Sequence, residues 1–399
     1  MSKRIKTITR GIFFSSFLFF HHLTNAYSVD LYSLVQLNDY SSVNGLNYSY
    51  AYAINNSGEV VGESLGIDFY DDAESWPHLG LIPLKWDSNG NFQKLGFVKT
   101  EYSMFGVSGT ATAINDGGVV VGQSGNRAFI WNQTNGIKEI EFINATDGSS
   151  KAIAINNNGT VVGHNDTNQY YFWDTVSGHK LLNTNNLAEN TSVNISSINN
   201  NGVVVGSISS LTEARSFAAI GTQQDGLTRL FDLPHLVGSS AAAVNDLGQV
   251  VGSFTLDSSE FYYQSRPFFW DPVQGLININ IPEEFNGSQI SATAINNSGS
   301  VLGTIAGNQV QGFIWDITNG FRLLSSITDL INKPSDFGMA GVVVPLDIND
   351  MGQILISSPV AGKVYILSPV LSVPEPENLG MLLAGLGVVV FMQRRRKVN

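Results

Sequence analysis

The chain has 399 residues, 21 of them basic and 33 acidic, for a net charge of −12. Eight of the basic residues lie in the first ten and last six positions, so the stretch between carries 13 basic residues against 33 acidic ones. That balance excludes a nucleic-acid binder, which needs a basic surface to displace phosphate counterions, and the absence of Cys excludes disulfides, thiolate metal sites and cysteine nucleophiles.

Residues 1–26 read as a secretory signal. A basic segment, MSKRIKTITR, precedes the apolar GIFFSSFLFF, and Thr24-Asn25-Ala26 places small residues at a cleavage site after Ala26. Ten apolar residues are too few to span a bilayer, which takes about 20. An isolated strand pattern, DLYSLVQLN, follows from Asp30.

One phrase then recurs seven times, as AINNSGEVVG from Ala53, AINDGGVVVG from Ala113, AINNNGTVVG from Ala154, SINNNGVVVG from Ser197, AVNDLGQVVG from Ala243, AINNSGSVLG from Ala294 and DINDMGQILI from Asp347. The starts are 60, 41, 43, 46, 51 and 53 residues apart, which marks a repeat architecture. Asn or Asp followed by Gly predicts a hairpin built on a type I turn with a left-handed glycine and a bulge. A second phrase follows in most units, and five of the six Trp stand in it (Trp86, Trp131, Trp173, Trp270 and Trp315). Another glycine and another short apolar run come next. Each unit is therefore two hairpins, or four strands.

Seven units of four short antiparallel strands predict an all-β chain, a seven-bladed β-propeller over residues 27–371. First strands such as SGTATAIN and SSAAAVN are rich in small residues, as suits strands crowded around an axis. The seventh unit has no fourth strand of its own. The strand at Asp30 is expected to supply it and so close the last blade. A right-handed β-helix, the alternative, has no use for that strand. AINDGGVVVGQS together with RAFIW, spread over seven units, resembles the HAF-family extracellular repeat of secreted bacterial proteins. Only Arg127-Ala128-Phe129 comes close to the eponymous tripeptide. The resemblance implies an exported protein and no particular activity.

Residues 372–399 form a tail of a different kind. Val373-Pro374-Glu375-Pro376 is followed by an uncharged apolar run, Leu379 to Met392, and then by Arg394, Arg395, Arg396 and Lys397. An apolar helix with a basic cluster behind it has the character of a stop-transfer element, a C-terminal transmembrane helix. Its 14 residues give about 21 Å of helix, short of the roughly 30 Å hydrocarbon core. The order of elements resembles the PEP-CTERM sorting signal of Gram-negative bacteria. By that resemblance the partner is an exosortase-type membrane protease reading Pro374, Glu375 and Pro376, with the inner membrane holding the helix before processing. The span and arginines alone would also suit an ordinary anchor.

Catalytic and metal chemistry find little support. His78, His164, His179 and His235 stand in different units, without zinc-ligand spacing. No cofactor is expected. Asp87, Asp174, Asp271 and Asp316, and likewise Asp116, Asp246 and Asp350, repeat with the units and read as turn residues accepting backbone N–H bonds. What does not repeat is more informative. The span from the glycine ending the second strand to the unit Trp is 24, 9, 10, 18 and 12 residues in units one, two, three, five and six. The two long spans carry Tyr70, Asp71, Asp72, Glu74 and Trp76 in one case and Tyr262 and Tyr263 in the other. Variable loops on a fixed frame are where binding concentrates, so these residues are the candidate ligand contacts, for a polysaccharide or another surface protein. The sequence thus favours a non-enzymatic binding or structural protein of the cell surface or extracellular matrix. The other reading is a secreted propeller glycoside hydrolase or lyase, which needs two carboxylates facing each other across a pocket.

Overall fold

A computed structural model describes residues 31–40, 49–68, 78–98, 108–141, 149–257, 264–307, 310–327, 329–331, 343–358 and 362–370. These residues form an all-β structure of four-stranded antiparallel sheets. Strand β1 spans Leu31–Gln36. The first unit follows as β2 (Ser49–Ile54), β3 (Val60–Asp68), β4 (His78–Trp86) and β5 (Phe92–Lys94), hydrogen-bonded in that order. The second is β6 (Gly109–Ile114), β7 (Val120–Ser124), β8 (Arg127–Asn132) and β9 (Gly136–Glu139). Four more units repeat the plan, from first strands Ser150–Ile155, Thr191–Ile198, Leu236–Val244 and Gln289–Ile295. A single bridge, Ser216 to Gly238, links the fourth and fifth into one eight-stranded sheet.

The seventh unit has three strands of its own, Val344–Ile348, Ile354–Ser358 and Lys363–Pro369. β1 is the fourth, antiparallel to Lys363–Pro369 from Tyr32↔Pro369 to Gln36↔Tyr365. A short strand, Asp329–Ile331, runs parallel to β1 on its outer side. The first and last segments of the described chain therefore share one sheet.

The Val-Val of the repeated phrase has a packing reason. In each unit the second strand is buried on both faces, as the strands of an inner layer are. Val60 packs against the seventh unit, in a cluster with Leu355 and Ile366, while Val61 packs against the second, with Ala111 and Phe129. Val120 and Val121 divide in the same way between units one and three. Seven such clusters occur, one for each pair of adjacent units, and the seventh-to-first junction has its own.

The hairpin turn matches its sequence signature. The N–H of Gly58 donates to Asn55 O and the N–H of Asn55 to Glu59 O, both at 3.0 Å. Gly58 takes φ +75°, in the left-handed region that a side chain resists. First strands also carry a bulge that the sequence did not announce, between Ala51 and Ala53 in unit one and at the matching place in the other six. A main-chain oxygen of the first strand lies close to the facing second strand, where a Cβ on Gly206 would overlap Asn194 O. That contact accounts for the glycine closing each Val-Val-Gly.

Candidate functional site

The two ends of the sheets differ. At one end lie all the repeated turns, and their side chains form two cycles of hydrogen bonds. In the inner cycle, Asn55 Nδ2 donates to Asn115 O at 3.1 Å. The same bond passes from Asn115 to Asn156, Asn199, Asn245, Asn296 and Asn349, and Asn349 returns it to Asn55 at 2.8 Å. Each of these Asn side chains is buried, and each Oδ1 holds its own turn, Asn55 accepting from Ser57 N and Glu59 N. An aspartate could not do both, since a carboxylate has no proton to donate.

The outer cycle uses the next residue. Asp116 Oδ1 accepts from Asn56 N at 2.9 Å, and Asp116 N donates to Asn157 Oδ1 at 2.8 Å. The pattern continues through Asn200, Asp246, Asn297 and Asp350 back to Asn56. Asp116, Asp246 and Asp350 therefore bridge units; they do not brace their own turns, as the repeat suggested. Each has an Asn on either side whose amide donates to its Oδ2. The acids after four of the Trp do act locally: Asp87 Oδ1 accepts from Asn89 N and Asn91 N at 2.9 Å, and the Asn91 side chain beside it, also a donor, holds the carboxyl below its ordinary value. The two cycles rim an axial cavity of about 200 Å³. Its wall includes Asp347, which stands where the other units have Ala or Ser. Asp347 accepts from Ile54 N at 3.0 Å and Ile348 N at 2.8 Å, and burial pushes its carboxyl up to about 6.

The opposite end carries the connections that vary. β3 and β4 run nine residues each and pair from Val60↔Trp86 out to Asp68↔His78. Much of the first insertion is thus an extended hairpin and not a loop. The fifth unit is lengthened likewise, to Leu256↔Gln264. Both extensions point to the same end, because both join a second strand to a third. Tyr70, Asp71, Asp72, Glu74, Trp76, Tyr262 and Tyr263 lie outside the described residues, as do Val373, Pro374, Glu375, Pro376 and Arg394–Arg396.

Sequence reasoning missed a cluster on the inner wall at this end. In β2, Ser49, Ala51 and Ile54 are buried, while Tyr50 and Tyr52 are 51% and 42% exposed. Tyr52 donates its hydroxyl to Glu63 Oε1 at 3.0 Å, and Thr110 of the second unit donates to Glu63 Oε2. Burial, with the Glu63 carboxylate beside it, holds the Tyr52 phenol far above its ordinary value, so it remains a donor. The signal was present: unit one reads SYAYAIN where the second reads GTATAIN. Among the described residues no group of three or more His, Asp or Glu is arranged to hold a metal, and no helix is long and apolar enough to cross a membrane.

No family model matches the chain, and no curated protein matches it. Solved structures do. A virginiamycin B lyase from Staphylococcus aureus, in a catalytically inactive form with quinupristin, aligns at 11% identity and TM-score 0.49, over 85% of this chain and 100% of that one. The β-propeller domain of the Trilobed protease from Pyrococcus furiosus aligns at 12% and 0.43, over 80% and 93%. An oligogalacturonate lyase in complex with manganese aligns at 12% and 0.47, over 86% and 99%. The described residues are all-β, in four-stranded antiparallel sheets, and the solved structures they align with include a β-propeller domain.

Proposed function

We propose that the chain is a seven-bladed β-propeller, closed by β1, that serves as an exported, non-enzymatic binding protein of the cell surface or extracellular matrix. One observation carries this reading. The end that holds the repeated turns spends its polar groups on its own two hydrogen-bond cycles, while every lengthened connection leaves from the other end. A uniform, internally satisfied surface is a frame, and variation on a frame is where recognition sits. The basic, apolar start supports export, and the tail supports retention through an apolar helix and processing by an exosortase-type protease.

The test is a pull-down with the purified protein against immobilised polysaccharides and culture-supernatant proteins. Replacing Tyr70, Trp76, Tyr262 and Tyr263 together with Ala is expected to abolish capture and leave the melting transition within about 2 °C, as for residues that serve binding and not the fold. Normal capture by that variant overturns the assignment of the insertions.

A further inference from the structure

We propose that Tyr50 and Tyr52, on the innermost strand of the first unit where it faces the second, form a cleft that binds a pyranose ring of a neutral polysaccharide. The inference deepens the reading of this end as the binding end, and rests on it.

The innermost strands are where adjacent sheets lie closest, and small side chains suit them. The two positions held by Tyr50 and Tyr52 are Thr110 and Thr112 in the second unit and Ser240 and Ala242 in the fifth, and no other unit places an aromatic ring there. A tyrosine that merely filled a gap would be covered. These two are 51% and 42% exposed, so their rings face open space. They are two residues apart on β2, with Tyr52 in the bulge between Ala51 and Ala53. The cross-strand partner of Tyr50 is Glu63, on the same side. Glu63 is 5% exposed and fixed by Tyr52 of its own unit and Thr110 of the second. It is a positioning residue: it holds the Tyr52 ring at one angle and ties the cleft walls together.

Two rigid amphipathic rings with hydroxyls at fixed places match the chemistry of a sugar, which offers a C–H face for contact and a rim of hydroxyls for hydrogen bonds. The net charge of the chain disfavours a polyanion.

The probes are cellohexaose, mannohexaose and isomaltohexaose, titrated calorimetrically into the full chain. At least one is expected to bind. Tyr50→Ala and Tyr52→Ala should each weaken it at least tenfold. Tyr50→Phe, which keeps the ring, should stay within about threefold of wild type. Glu63→Ala should weaken binding through Tyr52, and Glu63→Gln, whose amide oxygen still accepts, should restore most of it. The Phe and Gln variants keep the test decisive should an Ala variant fail to fold. Wild-type affinity in folded Tyr50→Ala and Tyr52→Ala overturns the cleft. If the same glycan is lost instead in the variant of the two insertions, the cleft fails while the reading of this end stands. If the wild type takes none of the three sugars but captures a protein, the saccharide inference alone fails.

Discussion

Asn349 Nδ2 donates to the main-chain oxygen of Asn55 across 2.8 Å, although 294 positions separate the two residues. This bond joins the last unit to the first, and it is the same bond that joins every other adjacent pair. Asn349 Oδ1 meanwhile accepts from Met351 N and Gln353 N. Asn349→Ala therefore orphans two N–H groups near the axis and leaves Asn55 O with only its bond from Gly58 N. A loss of about 2–3 kcal/mol is expected from unsatisfied polar groups. Asn349→Asp keeps the acceptor but loses the donor and sets a buried carboxylate against Asn55 O and Gln353 Oε1, so its chemical-denaturation midpoint should also fall below that of wild type. Equal midpoints for all three would show that the cycle contributes nothing to stability.

β1 contributes more than an edge. Leu37, just beyond it, is 1% exposed and packs against Trp86 and Ile366. Trp86 Nε1 donates to Asn38 O at 2.8 Å. Deleting residues 28–39 bares the outer edge of Lys363–Pro369 and uncovers this apolar layer. Loss of the cooperative transition and aggregation are expected, since an open edge is a template for pairing. Leu37→Ala is the milder probe, and should cost about 2–4 kcal/mol as a buried cavity. A truncated protein that melts as sharply as wild type and at the same temperature rejects the strand as a structural element.

Two kinds of recurring glycine should respond differently to Ala. Gly202 has φ +77° and open space around its missing Cβ, so Gly202→Ala meets backbone strain alone, about 1–2 kcal/mol. Gly206, four residues on, has Asn194 and Ile195 main-chain atoms where a Cβ would stand. Gly206→Ala must move one strand off another, and its cost is expected to exceed that of Gly202→Ala by at least about 2 kcal/mol. Urea midpoints for the two variants decide it, and equal midpoints would remove the close-approach argument.

Asp347 makes stability depend on pH. Burial raises its folded value to about 6, above the ordinary carboxylate, so the native state binds its proton more tightly than the unfolded chain does. The contribution is complete below about pH 4, declines as pH rises through about 6, and is absent above that. Asp347→Asn should thus stabilise the protein at pH 7.5 by on the order of 1–3 kcal/mol, seen as a higher melting temperature, and converge with wild type at pH 4. A constant difference between the two proteins across that range would show that Asp347 does not titrate as its burial implies.

Much of this structure is legible in the repeats, and the reasons are local. Asn-x-x-Gly reports a turn because Gly58 needs its positive φ, and Val-Val reports a strand buried on both faces because Val60 and Val61 pack toward different neighbours. What the repeats conceal is contact between units. That Asn55 reaches Asn115, or Asp116 reaches back to Asn56, depends on the placement of sheets some 60 residues apart in the chain. The Tyr50 and Tyr52 pair was visible only as a departure from small residues, and its exposure could not be read without the neighbouring unit. The candidate contacts in the insertions, Tyr70 and Tyr262 among them, lie outside the described residues, and only their flanking strand ends are placed.

The tail can be tested apart from the fold. Lys363–Pro369 is the third strand of its sheet and ends, like the third strands of the other units, at the end that carries the repeated turns. The described chain therefore ends opposite the lengthened hairpins. Pro374→Ala with Pro376→Ala removes the Pro-Glu-Pro and leaves both Leu379–Met392 and the arginine cluster intact. Export and membrane retention should be unchanged, because the apolar run and the basic cluster determine them. Processing and surface release should stop, so the variant should accumulate in the membrane fraction at full mass. Fractionation and mass determination of the tail fragment measure both. Release of the double variant at the wild-type rate would leave the tail an ordinary anchor.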